Sequence, residues 1–365
     1  LNAPHTRSSM TRTLLIATLT LPIVAWSAPS GAHELAKLER SLWINVSLAT
    51  PKRGYWGLSF PEAVKPSETQ IANAVGVLIR DANPNRLYLV HHHELPFGRT
   101  AEMFRAWRKS CPPSVELVPA LVLRMYDKGN TPVFTEPELS ELLTFLKAEI
   151  NPARIAVYDV LPNREQGAGL SALAKVFPKG LVRVGLQPDE PLEAPFSAAV
   201  EDTWSGFCHG LTNDDWQERG FGRDTLRKWV ASRNAQQFRI AYDLIVVGWD
   251  YANTKRGEYP GYDDAHKNLP LPAERNRLAV AEILAQAEPG RLAGFSSDLL
   301  IVELNSETPP HDGKASSFYE TLKAGRGYEG FYAKPWREVC RIFKSLGNGD
   351  EPMNHPHKPR PAITP

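Results

Sequence analysis

A short apolar run, a polar end, a loop and an amphipathic stretch recur along this 365-residue chain, eight times by the apolar runs. The amphipathic part is missing between 187 and 195, where Pro188, Pro191 and Pro195 crowd the connection. The most pronounced run spans Gln237 to Gly248 and gives way abruptly to Trp249, Asp250 and Tyr251. A near-continuous Val/Ile/Leu run of this kind reads as a strand buried on both faces, as in a parallel sheet. Strands alternating with helices imply parallel pairing through right-handed crossovers. Eight such units within residues 33–346 favour a single-domain (β/α)8 TIM-type barrel over an open doubly wound sheet.

The individual predictions follow from local chemistry. Strands are expected at Leu42–Leu48, Arg86–Val90, Val115–Leu123, Arg154–Tyr158, Leu181–Leu186, Ser197–Val200, within 237–248, and within Leu292–Val302. Ser67 is a strong N-cap for a helix reaching about Ala82. Thr135, Pro137 and the acids Glu136 and Glu138 open another helix, with the acids favoured by the helix dipole. Further helices are expected at Thr100–Lys109, Leu170–Phe177, Arg223–Asn234, Pro272–Ala287 and, interrupted by glycines, Ser317–Leu346.

The termini read differently. Arg7 and Arg12, the apolar stretch Leu14–Val24 and the small residues after it have the pattern of a secretory signal peptide. The sequence thus predicts export, to the periplasm or outside the cell, with 1–32 as the signal and upstream residues. The apolar stretch is too short for a comfortable membrane span. Residues 347–365, dense in Pro, His and Asn, are expected to be a disordered tail.

Charge and cysteine content exclude some classes. With 42 basic against 41 acidic residues there is no electrostatic footprint for nucleic acid. Three widely spaced cysteines, Cys111, Cys208 and Cys340, form neither a disulfide scaffold nor a CxxC zinc site. The chain has no GxGxxG, no GK[ST] and no GxSxG, so no phosphate-loop cofactor and no α/β-hydrolase nucleophile is signalled.

Barrels of this type work where strands end and loops begin. The acids expected there are Glu94, Asp127, Asp159, Glu201 or Asp202, Asp250 and Glu303, with Tyr126, Tyr158, Trp204, Trp249 and Tyr251 beside them. Rings that stack on sugar CH faces, interleaved with carboxylates that pair with hydroxyls, suit carbohydrate. Two carboxyls about 5–9 Å apart supply the acid and the nucleophile or base of glycoside hydrolysis. Asp159 is the expected nucleophile or base, and Asp202 or Glu303 the proton donor. His91, His93, Glu94, Tyr126, Trp204, Trp249, Asp250 and Tyr251 are the expected substrate-binding residues. Glu303 depends on register, because a strand ending near Ser297 would put Asp298 at the rim instead.

His91-His92-His93-Glu94 also invites a metal-dependent hydrolase or isomerase, although alternate strand residues point to opposite faces and three adjacent histidines cannot share one ion. A non-catalytic saccharide-binding barrel is the third reading. The expectation is therefore a glycoside hydrolase-like enzyme with a carbohydrate substrate, no cofactor, no metal, no nucleic-acid partner and no stable membrane insertion.

Overall fold

A computed structural model describes residues 32–49, 52–54, 57–59, 65–91, 97–125, 131–132, 134–158, 167–177, 181–182, 201–205, 221–244, 246, 272–300, 318–330 and 333–352. Eight strands run parallel in one sheet: β1 Glu39–Asn45, β2 Arg86–His91, β3 Glu116–Val122, β4 Ile155–Tyr158, β5 Leu181–Val182, β6 Glu201–Ser205, β7 Arg239–Leu244 and β8 Leu292–Asp298. Beyond a five-residue helix at Ala32–Ala36, the helices among the described residues are α1 Glu68–Ala82, α2 Phe97–Ser110, α3 Glu136–Phe145, α4 Gly167–Val176, α5 Phe221–Ala235, α6 Pro272–Gln286, α7 Phe318–Lys323 and α8 Ala333–Asn348. A π turn, Leu146–Ile150, prolongs α3. Two short antiparallel hairpins, Lys52–Gly54 with Gly57–Ser59 and Arg124–Met125 with Thr131–Pro132, stand on connections.

Both strong helix starts form as their residues dictate. The Ser67 hydroxyl accepts from the Gln70 N–H at 3.2 Å, while the Gln70 side chain accepts from the Ser67 N–H at 2.8 Å. Thr135 and Glu138 make the same reciprocal pair, and the Thr135 backbone N–H holds the Glu138 carboxyl below its ordinary pKa. Each box satisfies two orphan donors of a first turn.

The strand order is β6-β7-β8-β1-β2-β3-β4-β5, so the first strand lies between the second and the last. This is the cyclic order of a barrel. The ladder is an arc: among the described residues β5 and β6 are not hydrogen-bonded, although their Cα atoms come within 8 Å.

Burial separates the two faces. Leu42, Ile44, Leu87, Leu89, Ile240 and Phe295 pack with helix residues such as Val75, Trp107, Trp229 and Trp336 in one large core. Leu121, Ile155 and Val157 do the same with Leu142 and Leu143 of α3 and Leu173 of α4. The alternate positions, Trp43, Tyr88, Val90, Val118, Ala120, Ala156 and Tyr158, form a third cluster with Leu300 and contain no helix residue. That cluster is the inner face.

The sheet is strongly curled. The Tyr158 hydroxyl, at the end of β4, donates to Asp298 Oδ2, at the end of β8, at 2.6 Å. In a flat sheet these strands would stand four spacings apart, about 19 Å, beyond the combined reach of the two side chains. They meet only because the sheet bends until they face one another.

Several boundaries differ from expectation. The sixth strand is Glu201–Ser205 itself, so Glu201 to Trp204 form its body rather than its polar end. The eighth stops at Asp298, because Asp298 Oδ1 accepts the Leu300 N–H at 2.8 Å and turns the chain. Helix α8 runs to Asn348, two residues into the stretch expected to be tail. The signal-peptide region before residue 32 and the tail after 352 lie outside the described residues. Among the described residues no helix is long and apolar enough to cross a membrane.

Cys111 and Cys340 are free thiols, both buried. Burial pushes Cys111 from its ordinary 9.0 up to about 12, against the opposing pull of Arg108. Burial, with Asp81 adding to it, raises Cys340 as well. Only the thiolate is a nucleophile, so neither cysteine reacts with iodoacetamide at pH 8 in the native protein, and both react in urea. Mass spectrometry of tryptic peptides checks this. The linkage has a defined sign: above pH 9 the unfolded chain releases a proton from Cys111 that the native chain retains, so stability declines as pH rises from 9 toward 12.

Candidate functional site at the carboxyl ends of the strands

At the amino ends of β1 to β3 the inner face carries a paired layer of charge. Glu39 opens β1 and is 6% exposed, and Arg86 opens β2 and is 8% exposed. The Arg86 guanidinium bonds both Glu39 and the Tyr88 hydroxyl, the latter at 2.9 Å, and reaches Glu116 of β3 at 2.8 Å. Tyr88 donates to Glu39 at 3.0 Å, and Ser41 donates to the same oxygen at 2.5 Å. Arg154 approaches the other Glu116 oxygen at 3.5 Å. Charged groups this buried persist only when paired and hydrogen-bonded.

Above this layer Trp43 lies on Tyr88, ring centroids 4.2 Å apart and planes 18° apart. The indole N–H donates to Asp243 Oδ1 of β7 at 3.3 Å, reaching past β8, whose inner-face positions here are the small residues Gly294 and Ser296. Tyr158 tilts against Trp43 at 5.6 Å and holds Asp298 with its hydroxyl. Trp43, Tyr158 and Asp243 are 3%, 8% and 9% exposed, whereas Asp298 is half-buried. Two carboxylates and two rings from β1, β4, β7 and β8 are thereby gathered at the strands' carboxyl ends. Asp298 is the member that reaches outward, with a donor on each oxygen, an arrangement that suits the anion. Trp43 is covered on all sides and serves as the floor rather than as a stacking surface.

The sequence-predicted residues are placed variously. His91 closes β2 but sits on the helix side: it is 2% exposed, its Nδ1 pairs with Thr100 Oγ1 of α2 at 3.0 Å, and its ring lies 6.1 Å from Phe134. Asp202 is the second residue of β6, in register with Ile240, and Trp204 is in register with Tyr242. Asp159, Glu303, His93, Glu94, Tyr126, Trp249, Asp250 and Tyr251 lie outside the described residues. The sequence offers Asp298 only as the alternative to Glu303, and its parsing into strand ends passes over Asp243. A period-2 parsing of β7 would have found Asp243, since Ile240, Tyr242 and Leu244 take the helix side and leave Ala241 and Asp243 to the interior. Among the described residues no three His, Cys, Asp or Glu side chains gather so as to hold a metal ion.

No family model and no curated protein sequence matches this chain. Solved structures similar to it include a mandelate racemase/muconate lactonizing enzyme from Roseiflexus sp., with a TM-score of 0.42, 13% identity, and 78% of this chain and 61% of that one covered. The L-Ala-D/L-Glu epimerase from Bacillus subtilis gives a TM-score of 0.40 and 10% identity over 76% of this chain and 58% of its own. The endo-beta-1,4-mannanase from Thermotoga petrophila gives 0.42 and 9% over 84% and 77%. The chain spans about three fifths of the length of the first two. Likenesses this distant bear on neither substrate nor residue roles.

Proposed function

We propose that the arc of parallel strands closes into a complete (β/α)8 ring, and that the chain is an exported glycoside hydrolase acting at the carboxyl-end mouth on a poly- or oligosaccharide. The observation that carries this reading is the Tyr158–Asp298 contact across the curled inner face, at the end where such barrels carry their active sites. It supports a half-buried carboxylate held at the mouth, with a second carboxyl at hand. Glycoside hydrolysis needs two such groups, one to protonate the leaving oxygen and one to stabilise or attack the anomeric centre. Asp243 on the neighbouring strand and Asp159, next in the chain after Tyr158, are the candidates for the second, with Glu303 and Asp202 behind them. The metal-dependent reading is weaker, since His91 is committed to Thr100 on the helix side.

The test is reducing-sugar release from a panel of polysaccharides by the wild type and by Asp298→Asn, with circular dichroism confirming that both are folded. Release is expected from at least one polymer, and Asp298→Asn brings it to background. An undiminished rate in that variant removes Asp298 from the chemistry. Retention on a glycan affinity gel without cleavage turns the reading into that of a saccharide-binding barrel.

A further inference from the structure

We infer that Tyr158 is a positioning residue that fixes Asp298 as the electron-pair donor of the site, leaving proton donation to a different carboxyl. The inference rests on the hydrolase reading and assigns roles within it. Each Asp298 oxygen has its own donor, and the two donors have different origins. Oδ1 takes the Leu300 N–H, two residues along the same chain, which sets the side-chain angle locally. Oδ2 takes the Tyr158 hydroxyl, which comes from the facing strand and exists there only because the sheet is curled. Asp298 is half-buried while Tyr158 is 8% exposed, so a ligand at the mouth meets the carboxylate and not its clamp.

A carboxylate with donors on both oxygens favours its charged form. It then supplies an electron pair, either to the anomeric carbon or to a proton of the attacking water. The glycosidic C–O bond breaks toward the leaving oxygen, and that oxygen takes its proton from the second carboxyl. Among the described residues, ionisable groups on this face around Asp298 include Tyr158 of β4 and, behind the Trp43 indole, Asp243 of β7; Tyr88 of β2 lies one layer below.

The experiment is the pH profile of kcat/KM for wild type and Tyr158→Phe, which keeps the ring against Trp43 and removes only the hydroxyl. Loss of a hydrogen bond to the anion moves the acidic limb to higher pH by about one unit. Loosened placement lowers kcat roughly 10- to 100-fold with KM little changed. A uniform drop with an unmoved acidic limb overturns the assignment while leaving the hydrolase reading intact. Full activity in Asp298→Asn likewise overturns the assignment; absence of sugar release by the wild type from every polymer is what makes the hydrolase reading itself fail. A second measurement needs no substrate: the carboxyl 13C resonance missing from Asp298→Asn is titrated in aspartate-labelled protein. It is expected to titrate at higher pH in Tyr158→Phe than in wild type, and equal midpoints overturn the proposal.

Discussion

Arg86→Met lowers the unfolding free energy by about 3–5 kcal/mol, the cost of removing one partner from a buried ion pair. The methionine fills most of the arginine's volume, so the loss isolates charge rather than packing. Glu39, 6% exposed, keeps Ser41 and Tyr88 as donors but loses the Arg86 guanidinium, and Glu116 keeps the more distant Arg154. Native domains hold about 5–15 kcal/mol in all, so urea denaturation followed by tryptophan fluorescence should show a large shift of midpoint. The double variant Glu39→Gln/Arg86→Met recovers part of the loss, because an uncharged pair has no stranded anion. A change below about 1 kcal/mol in Arg86→Met would mean that this layer is hydrated.

Gly294→Ala is the second large effect. Gly294 stands opposite Glu39 in the β1–β8 ladder with φ of +153°, next to a register irregularity between β7 and β8. A Cβ built there would lie 2.3 Å from the Glu39 carbonyl oxygen and 2.5 Å from its nitrogen. These are backbone atoms in a paired strand, so neither can turn aside as a flexible side chain would. The strands must separate, at a cost of about 3 kcal/mol or more from strain and lost pairing. For a domain of this size that is a fall in Tm of roughly 5 °C or more, readable by calorimetry. An unchanged Tm would mean that β1 and β8 do not approach as closely as described.

Much of this architecture is written in local chemistry. Ser67 and Thr135 announce their helices because an N-cap acts through the next three residues, and the eight-fold strand–helix rhythm announces the parallel sheet. What the residues conceal is non-local. Glu39 and Arg40 look unsuited to a buried strand, so β1 is expected to begin at Leu42. It begins at Glu39 because the partner that makes the charge tolerable, Arg86, arrives from another strand. The apolar run Leu299 to Val302 invites a longer β8, whereas Asp298 ends it by capturing the Leu300 N–H. At β6 the acids and Trp204 read as a polar strand end although they are the strand. Which acids of a strand face the interior is concealed for the same reason: it depends on where the strand starts, and a one-residue error exchanges the faces.

The position of β1 has a consequence for biogenesis. Strand β1 needs β8 as its neighbour, Glu39 beside Gly294, so one of its edges stays bare until about 250 further residues have been made. Such distant pairing slows folding and favours adhesion between unfinished chains. Deleting β8 should therefore leave an aggregating fragment instead of a smaller folded one.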